Sequence, residues 1–123
     1  MRPRQTTYLV TYNDKLAIGE AYYYCVRDNA ADLTKSALKV LLLIDANVIA
    51  KSLPFFSRNI PYKNYFSYPT YIMDLNELSD KGYLDRVSLQ KYQINHKGSE
   101  LVKLFWWNHS RLFAKYVKDN KQI

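Results

Sequence analysis

Two stretches of the sequence combine side chains that bind phosphate with side chains that bind base edges. They are residues 63–71, "KNYFSYPTY", and residues 86–91, "RVSLQK". Lys and Arg neutralise phosphates, while Asn, Ser, Thr and Tyr offer hydrogen bonds or ring faces to a nucleic acid. Both stretches therefore indicate a surface for a polyanion. The predicted contacts on it are Lys63, Asn64, Ser67, Tyr68, Thr70, Tyr71, Arg86 and Lys91.

The bulk composition fits such a partner. The 123 residues include 18 Lys and Arg against 11 Asp and Glu, a net charge of +7. A basic excess favours polyanionic partners, of which nucleic acid is the usual one. The 12 tyrosines suit base stacking, core packing and dimer interfaces alike, so most of them are expected to be structural.

Patterns typical of enzymes do not stand out in the sequence. The sequence shows no recognisable Ser, His and Asp triad pattern of a hydrolase and no glycine-rich phosphate loop. It also shows no pair of carboxylates at a spacing typical of acid–base catalysis. His96 and His109 lack clustered cysteines or acids, so neither a metal nor another cofactor is expected. The lone Cys25 excludes an intrachain disulfide and is expected to be a small buried hydrophobe. We therefore expect a protein that is not an enzyme.

The sequence favours a single domain in the cytoplasm. The start, Met1-Arg2-Pro3-Arg4, leads into polar residues and not into the apolar stretch of a signal peptide. The longest apolar run, Val40 to Ile44, is too short to span a bilayer. One cysteine fits a reducing compartment, and the length fits one domain.

The first part of the chain is open to two interpretations. Residues 1–8 are predicted to form a polar, mobile tail. Residues 9–27 fit either a helix from about Tyr12 to Arg27 or two strands with a turn at Asn13 and Asp14. The helix is favoured because Glu20 interrupts the apolar face of the strand alternative.

Three helices are predicted in the middle of the chain. The first lies in "DLTKSALKVLLLIDANVIA", residues 32–50, with Asp32 or Thr34 as its cap. The second is a short helix in "SLPFFSRNI", residues 52–60. The third runs from about Tyr68 to Lys81, with Ser67 as its cap and Gly82 as a left-handed end.

After Gly82 the hydrophobic period changes from helical spacing to alternation. "YLDRV" and "KYQIN" each alternate apolar and polar residues, and the linker "SLQ" leaves room only for a tight hairpin. Such a hairpin must pack on the helices to be stable.

A last helix is predicted from about Ser99 to Lys118, and its apolar residues cover more than one face. A small core buries only one face of a peripheral helix, so the other face is a candidate dimer interface. We expect residues 99–118 to dimerise the chain. The predicted interface residues are Leu101, Phe105, Trp106, Leu112, Phe113 and Tyr116.

The order of these elements resembles the winged helix-turn-helix family, and within it the MarR-type and PadR-type regulators. Three segments are similar to the family pattern, "DLTKSALKVLLLI", "YIMDLNELSDKGYLDRV" and "YQINHKGSELV", and the likeness covers residues 33–117. The resemblance implies an α+β, mainly helical fold with a β-hairpin wing and a long C-terminal helix. It further implies a homodimeric transcriptional regulator that binds double-stranded DNA, and it leaves the operator and any small-molecule effector open.

In that family the helix before the hairpin enters the major groove. Its N-terminal end has free N–H groups and the favourable end of the helix dipole. Base-edge contacts are therefore assigned to Asn64, Tyr68, Thr70 and Tyr71. Phosphate contacts are assigned to Lys63, Ser67, Arg86 and Lys91, with Lys51, Arg58 and Lys97 as outer candidates.

Three features depart from the family pattern. The hairpin tip "SLQK" is short, and the loop "RNIPYKNYFSYP" replaces the usual compact apolar helix-turn-helix signature. The helix is also expected to expose Asp74, Glu77 and Asp80, which would repel phosphates. The alternative is a winged helix that serves as a protein-interaction module or adaptor, of the phage or mobile-element type, without DNA binding.

Overall fold

The computed structural model describes residues 19–23, 33–48, 50 and 53–121, without the side chains of residues 113 and 115–121. Two compact units are distinguished, one formed by residues 31–103 and one by residues 1–30 together with 104–123. In the second unit residues 19–23 are helical, as the helix interpretation of that segment predicts. The predicted tail, the turn at Asn13 and Asp14, and Cys25 lie outside the described residues.

Helix α1 covers Lys35–Asn47. Of the two predicted caps, Thr34 is the one in place, because its side chain accepts a hydrogen bond from the N–H of Ala37 at 3.1 Å. This bond satisfies one of the N–H groups that the first turn of a helix leaves unpaired. The buried face of α1 consists of Ala37, Leu38, Val40, Leu41 and Ile44.

Helix α2 covers Tyr68–Asp80 and agrees with the sequence prediction at both ends. The side chain of Ser67 accepts a hydrogen bond from the N–H of Thr70 at 3.3 Å. Pro69 lies in the first turn, where its missing N–H costs nothing. At the other end Gly82 has a φ of +87°, a conformation that favours glycine because it has no Cβ. Local sequence signals therefore determine this helix.

The sheet is antiparallel, with three strands in the order β1-β3-β2. Strands β2 (Leu84–Ser88) and β3 (Lys91–Ile94) form the predicted hairpin. Strand β1 (Phe55–Phe56) pairs with β3, so that Phe55 lies opposite Tyr92 and Phe56 opposite Lys91.

The prediction of a short helix at residues 52–60 was wrong. Phe55 and Phe56 are in β1, and only residues Ser57–Asn59 form a single 3-10 turn. The physical reason is a tertiary contact: β3 supplies hydrogen-bonding partners to this segment, and the Phe55 ring lies 6.2 Å from the Tyr92 ring. A second 3-10 turn, Tyr62–Asn64, leads into α2.

Helix α3 covers His96–Lys121, so it begins three residues before the predicted start at Ser99. Asn95 is the residue that caps it, since its side-chain oxygen accepts a hydrogen bond from the N–H of Gly98 at 2.9 Å. Asn and Ser are similarly good caps. Gly98 lies in the first turn of α3. A Cβ there would overlap the carbonyl oxygen of Tyr83.

The core of residues 31–103 lies between the helices and the sheet. Leu41, Ile44, Leu75 and Leu78 are fully buried, and Leu84 is 1% exposed. Each such side chain contributes about 1.5–3 kcal/mol of hydrophobic stabilisation. The chain is thus α+β and mainly helical, with a small antiparallel sheet. In the part of the chain that the structure describes, no helix has the length and apolarity needed to cross a membrane.

Candidate nucleic-acid interface

The outer face of α2 is exposed and carries mostly uncharged side chains, with Asp80 as its exposed acid. Tyr68 is 58% exposed and Met73 is 69% exposed, and Asn76 lies on the same side of the helix. Tyr65, just before the helix, is 67% exposed. The face that sequence reasoning assigned to base contacts is therefore accessible at Tyr68, and it is largely aromatic and apolar.

Tyr71 does not belong to this face. It is 1% exposed, and its hydroxyl donates a hydrogen bond of 2.7 Å to the carbonyl oxygen of Ser57. Its ring stacks on Tyr62 with 4.2 Å between centroids. Burial, with Tyr62 and Tyr92 nearby, raises the pKa of Tyr71 well above its usual range. The assignment of Tyr71 to a base-edge contact is corrected: the residue fixes the segment before α2 to the helix.

Arg86 connects the hairpin to α2. Its guanidinium donates a hydrogen bond of 2.6 Å to the side-chain oxygen of Asn76 and lies 5.5 Å from the centre of the Tyr92 ring. The Asn76 oxygen accepts this bond, and the NH₂ group of the same amide remains a donor for another partner. Sequence reasoning did not single out Asn76, although its position eight residues after Tyr68 places the two on neighbouring parts of the helix surface.

Two of the three acids on α2 are not on the surface as expected. Asp74 is 6% exposed and accepts a hydrogen bond from the hydroxyl of Ser36. Glu77 accepts hydrogen bonds from the N–H and the hydroxyl of Thr34, at 2.7 and 3.0 Å, and pairs with Lys81 at 3.3 Å. Both carboxyl groups therefore lie at the N-terminus of α1, where the helix dipole favours negative charge. Only Asp80 is exposed as predicted.

The pKa values of these two acids move in opposite directions. Burial, assisted by the nearby charge of Glu77, raises the pKa of Asp74 even though the Ser36 hydroxyl opposes the shift. Burial also acts to raise the pKa of Glu77, but the two hydrogen bonds from Thr34 and the contact with Lys81 outweigh it and lower that pKa. Glu77 is consequently the ionised partner of the α1 N-terminus.

Cations flank the outer face of α2. Lys63 and Asn64 line an open pocket of about 240 Å³, together with Arg58, Ile60, Pro61 and Tyr62. Lys63 is exposed and Lys91 is half-buried. The Ser67 hydroxyl donates a hydrogen bond of 3.0 Å to the Thr70 hydroxyl, so both belong to the helix cap. Lys63, Asn64, Ser67 and Thr70 are thus brought together at one helix end.

The predicted dimer-interface residues divide into three groups. Leu101, Phe105 and Leu112 are 5%, 2% and 3% exposed, so they are covered within a single chain and are not an available surface. Trp106 is 42% exposed, and its neighbour Trp107 is 62% exposed. The side chains of Phe113 and Tyr116 lie outside the described residues. Among the α3 side chains that the structure describes, the large apolar ones that are exposed are therefore Trp106, which was predicted for the interface, and Trp107, which was not.

A scan against protein-family models and searches of curated proteins and of solved structures found no match to this chain. Within the described residues no group of three or more His, Cys, Asp or Glu side chains is arranged to hold a metal ion.

Proposed function

We propose that the chain is a winged-helix protein of the MarR and PadR kind that binds double-stranded DNA as a homodimer and regulates transcription in the cytoplasm. The observation that carries the proposal is the hydrogen bond from Arg86 to Asn76. It joins the hairpin and the exposed face of α2 into one surface. The order of α1, β1, α2, hairpin and α3 agrees with a winged-helix fold, in which such a surface meets DNA.

In this proposal the outer face of α2 enters the major groove and the hairpin follows the neighbouring backbone. Tyr68, Thr70 and Asn64 contact base edges, and the apolar Met73 suits the methyl group of thymine. Lys63 and Ser67 contact phosphates at the favourable end of the helix dipole. The guanidinium of Arg86 and the NH₂ group of Asn76 both present donors, which suit the acceptor atoms of guanine or a phosphate oxygen.

The burial of Asp74 and the engagement of Glu77 with Thr34 support the proposal. Three exposed carboxylates on α2 would have repelled the phosphate backbone. With two of them held against α1, only Asp80 remains exposed on the outer side of the helix. The net charge of +7 then acts with little local opposition.

A second candidate function rests on the exposed Tyr65, Tyr68 and Met73. An aromatic and apolar helix face of this kind also suits a protein partner, since Tyr and Met are enriched in protein interfaces. In that case the chain is an interaction module or adaptor, and the charges around α2 contribute little.

Fluorescence anisotropy of a labelled duplex at several salt concentrations tests the proposal. Wild type should bind at low salt, and Lys63→Gln and Arg86→Gln should each reduce the dependence of log K on log salt by about 0.9, the value for one phosphate contact on duplex DNA. The control is Lys39→Gln, which removes the same charge from the exposed side of α1. Absence of duplex binding by wild type at low salt would exclude the proposal and favour the protein-interaction module.

A further inference from the structure

Two cations, Arg58 and Lys91, contact the ring of the half-buried Phe56. The guanidinium carbon of Arg58 lies 4.6 Å from the centre of the Phe56 ring, and the Lys91 ammonium lies 5.2 Å from the same centre. Because both distances refer to one ring, the two charges lie no more than about 10 Å apart. Cation–π attraction to a shared ring thus restricts the positions of both.

The backbone fixes this arrangement. Phe56 in β1 lies directly opposite Lys91 in β3, and opposite residues of an antiparallel pair have neighbouring side chains. The N–H of Ser57 donates a hydrogen bond of 2.9 Å to the carbonyl oxygen of Gln90, which anchors the 3-10 turn that carries Arg58. The two cations therefore come from segments more than thirty residues apart, and they are held by sheet pairing.

Among the described residues, no carboxylate is paired with either charge of this pair, Arg58 or Lys91. Like charges held within such a distance repel each other, and an anion between them removes that repulsion. A guanidinium resting on a ring face keeps its N–H groups available at its edge, where they can bind two oxygens of one phosphate.

We propose that Arg58 and Lys91, positioned by Phe56, form a clamp for a phosphodiester group of a nucleic-acid backbone. The clamp adds a contact outside α2, and it rests on the proposed function. Its place on the sheet suits the backbone, because β3 is also a strand of the hairpin. Arg58 and Lys63 line the same pocket. The clamp therefore continues the row of cations from the start of α2 toward the hairpin.

Salt-dependent binding of a labelled duplex tests the clamp with a matched pair of double variants. Arg58→Gln with Lys91→Gln removes the clamp. Lys39→Gln with Lys103→Gln removes two exposed cations from α1 and α3 and changes the net charge equally. We expect the clamp variant to reduce the slope of log K against log salt by about 1.8, two contacts of about 0.9 each. The control double variant is expected to change it far less.

Phe56 is tested by two substitutions that leave both cations in place. Phe56→Leu should weaken duplex binding about two- to five-fold, the size of one exposed cation–π interaction, and Phe56→Tyr should restore it. Thermal unfolding followed by circular dichroism identifies any variant that fails to fold.

The outcomes separate the two proposals. If wild type binds duplex and the clamp variant keeps a slope equal to that of the control, the clamp is wrong while the proposed function stands. If wild type binds neither duplex nor single-stranded DNA, both are wrong. Binding of labelled single-stranded DNA is measured in the same way. A slope change of about 1.8 on duplex and about 1.4 on single-stranded DNA, two contacts of about 0.9 and about 0.7 each, supports a backbone clamp that does not depend on duplex geometry.

Discussion

Glu77 of α2 and Thr34, the cap of α1, form a reciprocal arrangement across 43 residues of sequence. The Glu77 carboxylate accepts hydrogen bonds from the N–H and from the hydroxyl of Thr34, at 2.7 and 3.0 Å. The same hydroxyl accepts a hydrogen bond from the N–H of Ala37. A capping box normally lies within one helix, whereas here its acidic member comes from another helix. This contact fixes α2 against α1 and directs its mostly uncharged face outward.

Glu77→Gln should lower the free energy of unfolding by about 1 kcal/mol at pH 7, because it removes a charge that the α1 N-terminus stabilises. The folded state lowers the pKa of Glu77. Its contribution is therefore present above the ordinary Glu pKa of about 4.3 and is lost as the pH falls through the folded value. Urea unfolding of wild type and Glu77→Gln at pH 7 and pH 3 measures the difference in their free energies of unfolding. A difference between wild type and Glu77→Gln that is equally large at both pH values would contradict the assignment.

Gly98→Ala should destabilise the protein by about 1–3 kcal/mol, because the new Cβ meets the carbonyl oxygen of Tyr83, and backbone yields less readily than a side chain. Gly19→Ala is the matched control. Gly19 is helical. Apart from its chain neighbours and the backbone of its own helix, no atom of the described residues lies within 4 Å of the point that its Cβ would occupy, so alanine there should be neutral or stabilise by up to about 1 kcal/mol. Thermal unfolding of both variants provides the comparison, and equal melting temperatures would refute the close approach at Gly98.

Tyr68 and Tyr71 should differ in what their substitution affects. Tyr71→Phe removes the buried hydrogen bond to Ser57 and should cost about 1–3 kcal/mol of stability, with duplex affinity within about two-fold of wild type. Tyr68→Ala removes an exposed ring and should leave stability within about 0.5 kcal/mol, while it weakens duplex binding. Urea unfolding and anisotropy measured on the same preparations separate the two effects. If Tyr71→Phe weakened duplex binding without a loss of stability, Tyr71 would be a DNA contact after all.

Trp106→Ala should shift the proposed dimer toward monomer. Trp106 is the exposed member among the predicted interface residues whose side chains the structure describes, and aromatic residues dominate interface energetics. Sedimentation velocity over a range of protein concentrations measures the shift. Leu89→Ala is the control, because Leu89 at the hairpin tip is 87% exposed and belongs to no predicted interface. A dimer that is equally stable in wild type and in Trp106→Ala would place the interface elsewhere.

Sequence reasoning succeeded where the determining signals are local. Ser67, Pro69 and Gly82 define α2 within one or two residues, and the change to a period of two defines the hairpin. It failed at β1, because Phe55 and Phe56 become a strand only by pairing with residues 91–92. No pattern within residues 52–60 contains that information.

The sequence predicted which residues lie on and around α2, but it did not predict which side of α2 faces α1. Spacing alone placed Asp74 and Glu77 on α2, but which side of that helix faces α1 is determined by packing. The same holds for Tyr71, which helical spacing did not separate from Tyr68. The contact of Phe56 with Lys91 joins segments distant in sequence, so only the folded chain brings Lys91 to the ring that Arg58 also contacts.

Selection of bound duplexes from a random pool tests the central proposal most directly. A homodimeric winged helix should enrich a symmetric site whose half-sites lie about one helical turn apart, roughly 10 base pairs or a multiple of it. The enriched duplex should lose affinity when Tyr68 is replaced by Ala. Recovery of sequences no different from the starting pool, at a salt concentration where the folded protein is soluble, would contradict sequence-specific DNA binding by this chain.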